Sequence, residues 1–212
     1  MKFKLIPVTP FQQNCSIVWD TAGNAAIIDP GGEADKIIQF IQQNDLTPQA
    51  ILLTHGHLDH VGAAVTLKKQ YGIDIIGPHQ ADEYWLTGLP QQAQHFGLPD
   101  CSAFTPDQWL NENEEVQIGS LHFKVLHLPG HTPGHIGFIN QENNIAFTGD
   151  VLFNGGIGRT DFPGGSYSQL IQSIKEKLLP LDEQTQIIAG HGPTTTIGNE
   201  KYTNPFLLKE HN

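Results

Sequence analysis

Basic residues and cysteines are scarce in this 212-residue chain. It has 11 lysines and arginines against 22 aspartates and glutamates, which gives a formal net charge of −11. No run of basic residues is present, so we expect no nucleic-acid partner. The two cysteines, Cys15 and Cys101, lie far apart and form no Cys-x-x-Cys motif. We therefore predict neither a disulfide framework nor a thiolate zinc site, and we interpret each cysteine as a small buried apolar residue.

Long hydrophobic runs are also absent. A membrane-spanning helix needs about 18 or more consecutive apolar residues, and no stretch of the sequence approaches that length. Near the N-terminus, Pro7 and the polar residues 12–14 interrupt the apolar pattern before a signal-peptide core can form. These absences predict a cytoplasmic protein with no membrane partner.

The sequence does contain a dense group of potential metal ligands at residues 54–60, which read Thr-His-Gly-His-Leu-Asp-His. The apolar residues 50–54 have the composition of a strand, and the pattern of residues 61–70 predicts a helix. We therefore expect the group to lie in a loop where a buried strand ends. A chance grouping is the alternative in a chain with 11 histidines, but a motif this dense is far more specific than a lone histidine.

The spacing within this motif favours two ions rather than one. His55 and His57 are two residues apart, so both imidazoles of a turning segment can converge on one ion. Asp59 and His60 follow with an offset that suits a second ion. The second half of the chain supplies further potential ligands, each where a predicted strand ends: His131, Asp150 and His191.

The order of predicted elements is similar in the two halves of the chain. Strands are predicted at 3–8, 16–19, 25–29, 50–54, 73–76, 115–118, 122–128, 136–140, 144–148 and 186–189. Helices are predicted at 33–44, 61–70 and 168–179, with short helices and loops at 79–109. This order favours two sheets packed together with helices outside, in a single domain over residues 1–212.

Several motifs resemble those of a known family. The matching segments are 130–135, 149–153, 158–165, 191–198 and 204–207, and the match as a whole runs from the Asp-Pro-Gly at 29–31 to His191. They resemble the metallo-β-lactamase-fold hydrolase superfamily and, more closely, the short bacterial type II glyoxalase-like proteins of the YcbL type. The resemblance implies an α+β fold, the αββα sandwich, in which two mixed sheets pack face to face with helices outside and a metal site lies at one edge between them.

The resemblance also implies two divalent transition-metal ions, with zinc expected and iron or manganese as the alternatives. His55, His57 and His131 would hold one ion. Asp59, His60 and His191 would hold the other, and Asp150 would bridge the two. Imidazole and carboxylate ligands suit these metals, and three protein ligands for each ion leave positions open for water. A bridging hydroxide would then attack a substrate carbonyl, with Asp59 and Asp150 as the catalytic carboxylates.

Other histidines and one aspartate lie near these motifs. Asp29 and His135 are candidates for hydrogen bonds that orient the ligands, and turn capping is the alternative role for both. The five remaining histidines have no such context. We interpret them as surface or structural residues: His79, His95, His122, His127 and His211.

The resemblance to type II glyoxalases implies a glutathione thioester such as S-lactoylglutathione as substrate. The larger members have a helical C-terminal domain that helps to hold glutathione, whereas only residues 192–212 follow the last ligand here. Arg159 lies near the position of a family lysine, and 160–162 replace an aromatic pair. Arg159 is therefore a candidate for binding a substrate carboxylate, and a structural role in its loop is the alternative.

Three alternative functions can be compared on the same motifs. The Gly-Arg-Thr-Asp-Phe string at 158–162 also occurs in persulfide dioxygenases, which bind a single iron and form the main enzymatic alternative. A flavodiiron reductase is disfavoured because that branch has glutamate where this chain has His57. A non-catalytic scaffold would be expected to have lost a ligand, and none is missing.

Overall fold

A computed structural model describes residues 1–208 and arranges them in two mixed sheets with helices. The first sheet has the order β1-β2-β3-β4-β5, in which β3, β4 and β5 are parallel. Its strands are β1 (Lys2–Val8), β2 (Gln13–Trp19), β3 (Asn24–Ile28), β4 (Thr47–Leu52) and β5 (Asp74–Ile76). The sequence predicted all five, with shifted ends.

The second sheet has six strands in the order β13-β12-β9-β8-β7-β6, and only the β12–β9 pair is parallel. Its strands are β6 (Glu115–Ile118), β7 (Leu121–His127), β8 (Ile136–Asn140), β9 (Ile145–Gly149), β12 (Gln186–Ala189) and β13 (Thr195–Thr196). A separate hairpin joins β10 (Leu152–Phe153) to β11 (Gly156–Ile157). β10, β11 and β13 were not predicted, because a strand of two residues shows no periodicity.

Side-chain alternation in the central strands explains the layers. In β3, Ala25 and Ile27 belong to a buried cluster on the helix side of the first sheet, whereas Ala26 and Ile28 belong to the cluster between the sheets. Phe123 and Phe138 enter that middle cluster from the second sheet. Because neighbouring side chains in a strand point to opposite faces, a strand with apolar residues on both faces must be covered on both. The predicted αββα sandwich is confirmed.

Helices cover the outer faces and the edge near the strand ends. They are α1 (Ala34–Gln43), α2 (Leu58–Val61), α3 (Ala64–Tyr71), α4 (Glu83–Thr87), α5 (Leu89–Phe96), α6 (Tyr167–Ser173), α7 (Ile197–Thr203) and α8 (Pro205–Leu208). A 3₁₀ turn, Gln80–Asp82, precedes α4, and a π-helical turn, Ile174–Leu178, continues α6. None of the helices within residues 1–208 is long and apolar enough to cross a bilayer.

The predicted helix at 61–70 is wrong in its boundaries. Two helices, α2 and α3, replace it, so that Asp59 and His60 lie on a helical turn rather than in a loop. The break at 62–63 follows from close packing against the turn at 30–31. A Cβ on Gly62 would lie 2.5 Å from the Gly31 carbonyl oxygen, and the Ala63 N–H donates to the Pro30 carbonyl.

The cysteine predictions are confirmed in part. Cys15 is fully buried in the cluster on the outer face of the first sheet. Cys101 is only half-buried, so its predicted burial is not fully confirmed. It follows Pro99 in a segment without regular secondary structure. Neither forms a disulfide.

Candidate metal centre

The sheets bring the predicted ligands together because their strands end at one edge of the sandwich. β4 leads to His55 and His57, β9 to Asp150, and β12 to His191. α2 then adds Asp59 and His60, and the loop that follows β7 adds His131. All seven side chains therefore lie close together at this edge, in two neighbouring groups with Asp150 between them.

The first group contains the three histidines His55, His57 and His131, which are all buried. His57 Nδ1 lies 3.1 Å from His55 Nε2 and 3.0 Å from His131 Nε2. A single nitrogen cannot satisfy both neighbours by ordinary hydrogen bonding. Ligand atoms around a tetrahedral ion with bonds of 2.0–2.1 Å are separated by about 3.3 Å, so the three nitrogens have the spacing of one coordination sphere.

The second group contains Asp59, His60 and His191. Asp59 Oδ2 lies 3.2 Å from His191 Nε2 and 3.9 Å from His60 Nε2. The spacing of these atoms is also that of ligands around a small cation. A carboxylate with two imidazoles is a donor set that suits zinc, iron or manganese.

Asp150 lies between the two groups and faces both. Its Oδ2 is 3.7 Å from His131 Nε2 in the first group and 3.6 Å from His191 Nε2 in the second. Its Oδ1 is 3.3 Å from His60 Nε2. One carboxylate thus has oxygen atoms directed at two neighbouring donor sets.

Buried atoms without hydrogen-bond partners show that these residues fit a metal. His60 Nε2 and Asp150 Oδ1 are both buried, and neither makes a hydrogen bond despite their proximity. Leaving such an atom unsatisfied costs about 1–3 kcal/mol. Bound cations would satisfy both atoms, so the donor set and its orphaned atoms fit a binuclear centre.

Hydrogen bonds at the opposite ring nitrogens direct Nε2 of three histidines into the groups. His131 Nδ1 donates to the Arg159 carbonyl at 2.7 Å, and His191 Nδ1 donates to the Phe11 carbonyl at 3.1 Å. His60 Nδ1 lies 2.9 Å from Asp29 Oδ2. Because carbonyl and carboxylate oxygens only accept, each Nδ1 carries the proton and each Nε2 keeps its lone pair for a ligand bond.

Asp29 and His135, both singled out in the sequence, contact ligand residues. Asp29 also accepts from the Thr54 N–H at 2.7 Å and from the Thr54 hydroxyl at 2.6 Å. Asp29, His55 and His60 form a further close group, but the Asp29 carboxylate already accepts these hydrogen bonds. We therefore assign it to orientation of His60. His135 Nε2 accepts from the Asp150 N–H at 3.0 Å, and its ring stacks on that of His55.

The electrostatics of the cluster differ between its two groups. The pKa values of His55, His57 and His131 are lowered, with burial as the main cause. Burial and the neighbouring His131 ring lower the pKa of His57 to about 3. In the second group burial alone would lower the pKa values of His60 and His191, but the neighbouring carboxylates Asp59 and Asp150 raise them. Burial alone would raise the pKa of Asp150, but His60 and then His131 lower it well below its usual range. Neutral imidazole and ionised carboxylate are the forms that bind metal ions.

Asp82 is a residue that the sequence analysis missed. Its buried carboxylate accepts from the Gly56 N–H at 2.9 Å, from the Thr132 hydroxyl at 2.8 Å and from the Gly134 N–H at 2.6 Å. It therefore ties the loop that bears His57 to the loop at 131–134. Burial raises the pKa of Asp82 to about 6, and the three hydrogen bonds oppose that rise. A single aspartate in an irregular segment gave no signal of this role.

A cavity of about 1010 Å³ opens over the cluster. Arg159 and Phe162 lie on its wall beside the first group, where the Phe162 ring is 4.8 Å from that of His57. The Arg159 guanidinium is exposed, pairs with Asp161 through two hydrogen bonds of 2.9 and 2.8 Å, and lies 4.5 Å from the Phe162 ring centroid. Arg159 therefore lines the cavity, and Asp161 partly neutralises its charge.

The other histidines mostly have the surface or structural positions that we predicted. The rings of His79 and His127 stack at 4.4 Å, and His127 Nε2 donates to the Pro133 carbonyl. His122 is exposed on β7. His95 is exposed but also lines the cavity, which its sequence context did not indicate. His211 lies outside the described residues.

Comparisons with known proteins agree with this geometry. A family model of the metallo-beta-lactamase superfamily matches residues 8–191. The hydroxyacylglutathione hydrolase GloC of Haemophilus influenzae is 60% identical over 208 residues, which make up 98% of this chain and 98% of that protein.

Two crystal structures are similar over almost the whole chain. BLEG-1 B3 metallo-beta-lactamase superimposes with a TM-score of 0.92 at 41% identity, over 98% of this chain and 100% of that chain. TTHA1623 in a di-iron-bound form superimposes with a TM-score of 0.88 at 40% identity, over 96% of this chain and 100% of that chain.

Proposed function

The chain belongs to the metallo-beta-lactamase superfamily as a metal-dependent hydrolase, and we propose that it cleaves the thioester of an acylated glutathione such as S-lactoylglutathione. The observation that carries this substrate class is the similarity to the Haemophilus influenzae hydroxyacylglutathione hydrolase, which extends over 98% of both chains at 60% identity. The cluster of seven ligand side chains beneath a large cavity supports the same reaction class.

We assign the ligands as the sequence predicted them. His55, His57 and His131 would hold one ion, Asp59, His60 and His191 the other, and Asp150 both. The di-iron form of TTHA1623, at 40% identity, supports a pair of ions. Zinc is our first expectation, with iron or manganese as the alternatives. We also propose that residues 1–212 form one domain, because the cluster between the sheets draws side chains from both halves of the chain.

The residues around the centre fit thioester cleavage without a protein nucleophile. When bound, two divalent cations would supply a hydroxide at neutral pH and polarise the substrate carbonyl. Asp59 and Asp150 are the catalytic carboxylates in this proposal. They contribute the negative charge of the donor set and would orient the bound hydroxide. Cys15 is fully buried, and Cys101 is not among the described residues that line the cavity. A thiolate leaves without protonation, so no general acid is required.

Purified protein is expected to hydrolyse S-lactoylglutathione, observed as loss of the thioester absorbance in the ultraviolet. Chelation should abolish the rate, and added zinc or iron should restore it, because the reaction depends on the bound ions. Cys101→Ala should leave the rate unchanged. Oxygen consumption with glutathione persulfide, in place of thioester cleavage, would instead select the single-iron dioxygenase that the 158–162 string also suggests.

β-Lactam hydrolysis is a second candidate, because BLEG-1 B3 metallo-beta-lactamase is 41% identical to this chain. Both reactions place a carbonyl at the same cluster, but an amide nitrogen is a poorer leaving group than a thiolate. A chromogenic cephalosporin and S-lactoylglutathione should therefore be compared on one preparation, and we expect the thioester to give the larger kcat/KM.

Arg159→Ala is expected to raise KM for the thioester about 3- to 10-fold with a smaller change in kcat. The guanidinium lies at the cavity and can bind a glutathione carboxylate, although Asp161 already engages one side of it. Asp161→Ala is the matched control, because it frees the guanidinium and should lower KM or leave it unchanged. Equal effects of both substitutions on kcat would show that the pair is structural.

A further inference from the structure

The cavity has an apolar wall that the metal cluster does not use. Phe11, Tyr84 and Phe96 line it, and they are 44%, 64% and 48% exposed. The Phe11 and Phe96 rings meet edge to face at 5.5 Å. Contact between water and exposed aromatic side chains at the mouth of a cavity is unfavourable. An apolar ligand that covers these side chains removes their surface from water, which favours binding.

The cavity has few basic side chains that could bind a wholly polar, anionic substrate. Among the cavity-lining residues within 1–208, Arg159 is the only lysine or arginine, and Asp161 partly neutralises it. Glutathione carries carboxylates and amides, and a lactoyl group is small and bears a hydroxyl. One cation can hold a glutathione carboxylate, but neither half of S-lactoylglutathione gives the aromatic wall an apolar partner.

Backbone contacts place Arg159 and Phe11 beside different ligand groups of the cluster. The Arg159 carbonyl accepts from His131 in the first group, whereas the Phe11 carbonyl accepts from His191 in the second. A thioester with its glutathione held at Arg159 and its carbonyl at the cluster therefore directs its acyl group toward Phe11 and Phe96.

We infer that the acyl group of the preferred thioester is aromatic or otherwise bulky and apolar, and that Phe11 and Phe96 are the specificity-determining residues that bind it. This inference rests on the proposed thioesterase function. The substrate class is thus the glutathione thioester of an aryl-substituted 2-hydroxy acid, in which a ring takes the place of the lactoyl methyl group.

A pair of substrates with identical glutathione halves tests the inference. S-Mandeloylglutathione differs from S-lactoylglutathione by a phenyl group in place of a methyl group. We expect its kcat/KM to be about tenfold higher, because a phenyl ring would be buried against the aromatic wall. Phe96→Ala should reduce kcat/KM for the mandeloyl thioester about tenfold and change that for the lactoyl thioester less than twofold. Phe11→Ala should act in the same direction.

Tyr202→Ala is the control, because Tyr202 is 61% exposed and lies away from the cavity. It should leave both rates unchanged. A loss of folding in the Phe96 variant would lower both rates together, so the ratio between the substrates reports on specificity. The inference would be wrong, and the proposed function would stand, if kcat/KM for the mandeloyl thioester were no higher than for the lactoyl thioester and neither Phe96→Ala nor Phe11→Ala changed the ratio of the two values. Hydrolysis of neither thioester would overturn the proposed function as well.

Discussion

Asp150→Ala is expected to reduce the bound metal from about two ions per chain to one or fewer and to lower kcat/KM for the thioester about a thousandfold or more. The Asp150 carboxylate lies within 3.7 Å of three imidazoles in both ligand groups, so its loss affects each group. It also removes a negative charge between two cations and leaves their repulsion uncompensated.

His122→Ala is the matched control for this substitution, because His122 is exposed on β7 outside the cluster. Elemental analysis and thioester kinetics on both variants provide the measurement, with circular dichroism to check folding. If Asp150→Ala retained two ions and full turnover, the assignment of the bridging carboxylate would be wrong.

Gly190→Ala is expected to remove the ion of the second group and to lower kcat/KM about a hundredfold. A Cβ at position 190 would lie 2.3 Å from Asp150 Oδ1 and 2.5 Å from His60 Cε1, so the methyl group displaces two ligand residues. The backbone cannot move away easily. The Gly190 N–H donates to the Gly149 carbonyl, and its own carbonyl accepts from the Asn14 N–H.

Gly192→Ala separates this steric effect from backbone strain. Gly192 has a φ of +74°, but a Cβ there meets no atom within 4 Å. The control should therefore lose about 1 kcal/mol of stability and retain its metal. A Gly190→Ala protein with a full complement of metal would show that the second group does not hold an ion in this position.

The candidate ligand residues could be identified in the sequence because the patterns that indicate them are local. A dense histidine motif next to a strand, and single ligands in Gly-rich turns after other strands, are visible within a few residues of sequence. The convergence of Asp150 and His191 followed from the family resemblance and from the ends of β9 and β12. The positions of most strands could also be predicted, since β6 alternates between polar and apolar residues and β8 is a short, largely apolar run.

Long-range packing determined the features that could not be predicted. Asp82 acts through contacts with segments 26 and 50 or more residues away in the sequence, and a lone aspartate carries no sign of them. The break between α2 and α3 depends on the turn at 30–31, which is equally remote. The aromatic wall that contains Phe11 and Phe96 joins two segments that are distant in the sequence, and nothing in either segment indicates that they meet.

Elemental analysis of the purified protein, with thioester hydrolysis measured on the same sample, tests the binuclear hydrolase most directly. Our account predicts about two transition-metal ions per chain and a rate that rises in proportion to the second ion as metal-free protein is titrated. A reproducible single iron in fully loaded protein that consumes oxygen with glutathione persulfide and leaves S-lactoylglutathione intact would contradict it.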